Sequence, residues 1–309
     1  MLTDFLIVMG QVLTLFLMMA VGFFFAKRGQ LTSAALSQMS HVLLYVVAPC
    51  VIIDSLLKAQ PSPELIHSIL MCTAALLLTY ALYMLLAAPF FPKKDPDTRD
   101  TLRFGMVYGN TSFMGLPLIQ GVLGSGALIY CTVSMAVFSI TTWTHGAILM
   151  GGKENASVKK AILNPGVIGC VIGFIFFFSG LRLPSPVATA IDYLADLNTP
   201  LAMLVIGGQM ASSNLAETFR KPTLYAASAV KLLAFPLLTA LVLLPFGLNS
   251  LTYSTLVILS ACPTAGVTGI FAQSFRRDTA TAAQMITLST LLSIATLPLL
   301  ALLARTLNG

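Results

Sequence analysis

The residues best placed to do chemistry in this chain are polar ones set inside apolar sequence. GNTSFMGLP at 109–117 puts Asn110, Thr111 and Ser112 beside two glycines and Pro117, and ACPTAGVTG at 261–269 sets Thr264 and Thr268 just after Pro263. Proline removes a backbone donor and disfavours helix at the residue before it, while glycine tolerates the unwound conformations that follow. Each stretch reads as a place where a helix opens. Freed N–H groups and half-helix N-termini there suit an anion, and Asn110, Thr111, Ser112, Thr264 and Thr268 can fix its orientation. The competing reading is a pair of kinked helices whose small residues allow close packing. A kink needs one proline and does not need the Asn-Thr-Ser cluster as well.

Other polar residues are candidates because ionisable groups in lipid are costly. Lys231 lies within an apolar run and can neutralise an anion or stabilise its surroundings; snorkelling to the headgroups is the alternative. Asp192 and Asp196, at i and i+4, share one helical face and are candidates for a coupling proton or cation, or for a solvated outer mouth. His145 and His41 titrate near neutrality if exposed, and packed or interfacial histidines are the plainer reading. Tyr108, Gln120 and Gln273 flank the two polar stretches and are candidates to line a cavity. The five cysteines are separated by more than 20 positions each and read as packing residues, so no metal pair is indicated.

These residues must be held by membrane helices. Only 9% of the 309 residues are charged and 57% are hydrophobic, where soluble domains carry about 25% charge. Ten apolar segments follow, at 5–26, 37–57, 65–90, 104–122, 126–150, 162–180, 189–211, 223–246, 251–275 and 280–304, each about long enough to cross a ~30 Å hydrocarbon core. Long runs without alternation exclude a barrel, so the expected class is an all-α membrane protein of ten transmembrane helices. Thirteen of the 17 Lys and Arg residues fall in loops after odd-numbered spans and three on the other side. Both termini are therefore expected outside, in a multi-pass protein of the cytoplasmic membrane. That asymmetry accounts for the net charge of +6 without a nucleic-acid partner.

Five spans on each side of a short linker make two inverted repeats, 1–150 and 162–309, joined by 151–161. Pro49 and Pro117 in the first half have Pro200 and Pro263 at corresponding spans of the second. At ~1.5 Å per residue, both polar stretches lie near the midplane, in the fourth and ninth spans. Interrupted segments at matching places in two halves point to a transporter's binding site. No acidic residue occurs in the fourth, fifth, eighth, ninth or tenth span, which leaves no carboxylate relay at the breaks. No HExxH, GxSxG or phosphate-loop pattern is present, so an enzyme is not expected.

NTSFMGLPL at 110–118 resembles the fourth-helix signature of the auxin efflux carrier family, which includes the plant PIN proteins, and CPTAGVTGIFA at 262–272 resembles its ninth-helix partner. The ten-span layout is similar along the whole chain, and the short linker resembles that of prokaryotic members. The resemblance implies a bile-acid-transporter-like fold with a scaffold of spans 1, 2, 6 and 7. It implies a moving unit of spans 3–5 and 8–10, whose crossover helices bring Asn110, Pro117 and Pro263 to the substrate site. It implies a secondary active or facilitative transporter of small organic anions, carboxylates such as malonate, malate or auxin-like acids, working by elevator-type alternating access. A homodimer through the scaffold is implied as well. No cofactor is expected, and the coupling ion, H+ or Na+, stays open. The alternative reading is a membrane receptor that binds an organic anion without moving it.

Overall fold

In a computed structural model, residues 2–155, 159 and 162–307 are described; residues 156–158 and 160–161 of the expected linker, Lys160 among them, lie outside these. Among the described residues the chain is helical and contains no strand beyond one isolated bridge. Among the described residues, six helices are long and apolar enough to cross a membrane. Five of them are α1 (Leu2–Lys27), α2 (Ser33–Lys58), α3 (Pro63–Ala87), α6 (Ser125–Gly151) and α11 (Pro222–Phe246). The sixth is α14 (Thr279–Leu307). This is a multi-pass membrane protein.

The remaining apolar segments are shorter or divided. The fourth is α4 (Pro96–Val107) and α5 (Thr111–Leu123), and the ninth is α12 (Ser250–Ser260) and α13 (Val267–Ser274). The sixth is α7 (Pro165–Ser179), and the seventh is α8 (Ser185–Asp196) and α9 (Asn198–Ala211), with the short α10 (Leu215–Thr218) after it. Helix starts follow a local rule: Ser62, Asp95 and Asn164 each cap the next helix through the side chain, and Pro63, Pro96 and Pro165 follow at the first position. Proline is tolerated there because that N–H has no helical partner.

One expectation is corrected. Pro117 does not break its helix: α5 runs through it, and the gap lies upstream at 108–110. The cause is a π-type turn at Thr111–Gly115, after which Pro117 falls in the first turn of the resumed α-helix. The same device precedes Pro49, after Leu43–Val47, and Pro236, after Val230–Ala234. A widened turn makes room for the ring that would otherwise meet the carbonyl one turn back. Pro263, in contrast, sits in the ninth-segment gap itself.

Close backbone packing joins α1 to α9. A Cβ added at Gly22 would meet the Leu204 carbonyl, and one at Gly207 the Met19 carbonyl. Small residues let membrane helices approach this closely. At the loop ends of α4, α6 and α14, Arg277 ties three elements together. It pairs with Asp97 at 2.6 Å and donates through Nε to the Met150 carbonyl at 2.6 Å. Beside it, Asp278 accepts from the Thr98 and Thr281 hydroxyls at 2.8 and 2.6 Å. Burial raises the Asp278 pKa, but these hydrogen bonds, a further one from the Thr281 N–H and the Lys221 charge outweigh it and hold the carboxyl below its ordinary 3.8.

Candidate functional site

The two gaps meet. Asn110 donates its N–H to the Pro263 carbonyl at 2.7 Å, Ala265 donates to the Tyr108 carbonyl at 2.9 Å, and Gly109 lies antiparallel to Thr264. Helix gaps free backbone groups that lipid cannot satisfy, and here each gap satisfies the other. Side chains lock the crossing: Thr264 donates through its hydroxyl to the Gly105 carbonyl at 3.0 Å and through its N–H to the Ser289 hydroxyl oxygen at 3.1 Å. Asn110 caps α5, its Oδ1 accepting from the Phe113 N–H at 3.2 Å. The Asn110 amide nitrogen has no partner among the described residues.

Gly109 lies at the crossing. A Cβ there would lie 2.7 Å from the Lys231 Nζ and 3.2 Å from the Cys262 carbonyl. A methyl group there would have to displace the flexible end of Lys231 and crowd the carbonyl.

On one side of the crossing is a cavity of about 170 Å³. Asn110, Thr111 and Ser112 at the start of α5 border it, as do Ala265, Gly266 and Val267 at the start of α13. Two positive helix ends therefore face one space. Among the described residues no Lys, Arg, His, Asp or Glu lines it. Three bordering hydroxyls, those of Thr111, Ser139 and Thr142, are buried and have no hydrogen-bond partner among the described residues. Buried polar groups are ordinarily paired, so these hydroxyls, themselves buried within the wall, are exceptions.

Behind the wall formed by Gly109 and Thr111 lies a second chamber of about 20 Å³, room for one water. Lys231 projects into it, 1% exposed, and donates to the Ser260 carbonyl at 3.0 Å. No acidic side chain pairs with it among the described residues. Burial at this depth is not the snorkelling geometry. Tyr83 and Thr239, which share a short hydrogen bond, border the same chamber.

The other candidates from the sequence are dispersed. Pro117, Pro263, Thr264 and Thr268 do not border the cavity; the last three are part of the crossing or its following turn, and the Thr268 hydroxyl is buried without a partner among the described residues. Tyr108 is fully buried, its hydroxyl donating to the Thr141 carbonyl at 2.8 Å and lying 3.1 Å from the His145 Nδ1. Neither Tyr108 nor His145 borders the cavity. Gln120, Gln273 and His41 are exposed and do not border it. Asp192 pairs with Lys58 at 2.7 Å, and Lys58 also holds Asp54 at 2.7 Å; Asp196 is exposed nearby. These acids lie apart from both chambers.

Sequence reading missed the wall contributed by α6. Ser139, Thr142 and Trp143 all border the cavity, with Gln209 from α9 and Asn164 from the cap of α7. A π-type turn at Thr142–Gly146, with no proline after it, turns this part of α6. Such turns occur frequently at functional sites. The available signal was a pair of hydroxyls at i and i+3 in an apolar segment.

A family model described as Membrane transport protein matches residues 7–301. A protein of Methanothermobacter thermautotrophicus described as "Uncharacterized transporter" is 25% identical over 294 residues, covering 93% of this chain and 95% of the relative. One from Methanocaldococcus jannaschii, described as "Uncharacterized transporter MJ1031", is 23% identical over 95% of this chain and 98% of its own. A Rhizobium meliloti protein described as "Putative malonate transporter" is 26% identical over 96% of this chain and 95% of its own.

Proposed function

The chain belongs to the Membrane transport protein family, and on that premise we propose that it carries a small organic anion across the membrane through the cavity beside the crossing. The observation that carries this reading is the pairing of two interrupted helices whose N-terminal ends, one of them capped by Asn110, border a space lined by no carboxylate among the described residues. Oriented dipoles and neutral donors of this kind favour an anion while holding it weakly enough to let it go.

The full architecture belongs to the same proposal. Ten spans form two inverted five-helix repeats, the divided segments each counting as one crossing of the bilayer. Spans 1, 2, 6 and 7 are the scaffold, and spans 3–5 and 8–10 move against it as one body, in an elevator-type alternation. On the orientation expected from the Lys and Arg distribution, with both termini outside the cytoplasmic membrane, Ser40 and Asn164 mark the cytoplasmic side of the cavity. Lys231 places a positive charge behind the crossing and moves with it. A homodimer through the scaffold, and a proton or sodium gradient as the driving force, are extensions of this reading.

Binding tests it directly. Asn110→Asp keeps an oxygen to cap α5 but removes the amide donor and adds a like charge. Charge-assisted hydrogen bonds contribute about 1.5–3 kcal/mol, so calorimetric affinity for a small carboxylate should fall by about tenfold or more while the melting temperature stays near wild type. Unchanged affinity would place the anion elsewhere.

A further inference from the structure

We infer that the pocket where the ends of α2 and α7 meet α8 is a seat for one phospholipid with a zwitterionic ethanolamine headgroup, its phosphate on Arg182 and its ammonium on Asp192. The site lies apart from both chambers at the crossing and is independent of the anion carried there.

Position comes first. Lys58 is the last residue of α2, and α7 ends at Ser179, with Gly180 in the left-handed conformation just before Arg182. The ends of apolar spans lie at headgroup depth. At 15 residues, α7 is about 22 Å long, short of a ~30 Å hydrocarbon core. A span this short draws headgroups inward over its end. Between these ends and α8 is a pocket of about 780 Å³, which Phe176 and Leu181 border with apolar surface. Along α7, Ile168, Val171, Ile175 and Phe178 are exposed at three- and four-residue intervals, a track for an acyl chain.

Charge selects the headgroup. Lys58 is held by two carboxylates, Asp54 and Asp192, each at 2.7 Å, so the three groups together carry one negative charge. Lys58 binds the Asp192 Oδ1; among the described residues neither the Asp192 Oδ2 nor the exposed Arg182 guanidinium has a partner, and both residues border the pocket. A free cation therefore stands beside a net anion. Basic pockets at membrane surfaces take anionic lipids, but the two acids here disfavour a lipid with net negative charge. A phosphodiester joined to a primary ammonium meets both groups at once. The guanidinium fork matches phosphate oxygens, and the ammonium donates to the open carboxylate oxygen, which a choline without an N–H cannot do.

The experiment is native mass spectrometry of the purified full chain, delipidated in detergent and incubated with equal amounts of dioleoyl phosphatidylethanolamine, phosphatidylcholine and phosphatidylglycerol. One phosphatidylethanolamine per chain should be retained, at least about threefold over either competitor, the scale of one half-exposed ion pair. Arg182→Gln should lower retention of phosphatidylethanolamine and phosphatidylglycerol alike. Asp192→Asn keeps an oxygen for Lys58 and should lower phosphatidylethanolamine while raising phosphatidylglycerol. Arg28→Gln removes an exposed cation from the loop before α2 and should change neither. Melting temperatures in the same detergent identify a variant lost to unfolding; if Asp192→Asn is one, Arg182→Gln, on an exposed loop, decides. Phosphatidylglycerol retained as well as phosphatidylethanolamine by the wild type overturns the inference, as does an ethanolamine preference that Arg182→Gln leaves in place. Dimers that Arg182→Gln dissociates with lipid retention unchanged would assign the pocket to a second copy of the chain and overturn it as well.

Discussion

Lys231 is the residue whose chemistry is most exposed to test. A buried cation with one carbonyl partner and no acid beside it costs stability, and proteins retain such groups at functional places. Lys231→Met keeps the unbranched stem and removes the charge. The expected outcome is a melting temperature at or above wild type together with reduced anion uptake. Loss of folding without a separate loss of uptake would make Lys231 a packing element only. Its neighbour Gly109 lies close enough that a Cβ there would meet the Lys231 ammonium. At this scale the sequence was informative about Asn110, Thr111 and Ser112, which border the cavity, because short polar residues in a span have few other reasons to be there. It was uninformative about Tyr108, Gln120 and Gln273. Flanking a gap in sequence does not decide which side of a helix faces it.

Elements carry two further consequences. The contact of α1 with α9 has no room for a methyl group at Gly207, whose Cβ would fall on the Met19 carbonyl. Gly207→Ala should therefore destabilise by about 1–3 kcal/mol, the usual cost of overpacking, read as a lower melting temperature in detergent. An unaffected melting temperature would mean that the two helices separate freely. At the start of α14, the Asp278 carboxyl is held below its ordinary value, so the unfolded chain takes up the proton more readily than the folded one. Its stabilising contribution is complete above about pH 3.8 and is lost as the pH falls through the folded-state value. Asp278→Asn keeps a capping oxygen for the Thr281 N–H and should shed that part of the acid sensitivity in melting curves taken between pH 3 and 5, values set on the order of one unit around the aspartate range. Matching pH profiles for the two proteins would contradict it. The helices themselves were legible from apolar length. The position of the fourth-segment gap was not, because proline was read as a breaker and the π-type turn that accommodates Pro117 has no signature in composition.

The whole molecule combines six long apolar helices with two interrupted segments that meet and pair near one cavity. Membership of the Membrane transport protein family and coverage of nearly the full length of its relatives set the class of activity. Hydropathy alone reaches the membrane class, and polar interruptions reach the fourth and ninth segments. The cavity wall from α6 required coordinates, since Ser139, Thr142 and Trp143 become neighbours of Asn110 only when distant segments pack. The most direct test of the central claim is uptake of labelled carboxylates into proteoliposomes, with and without proton and sodium gradients, by wild type and Asn110→Asp. Saturable uptake by wild type that the folded variant loses is the predicted result. Equal uptake by the two proteins, or binding with no uptake under any gradient, would contradict a carrier that works through the crossing.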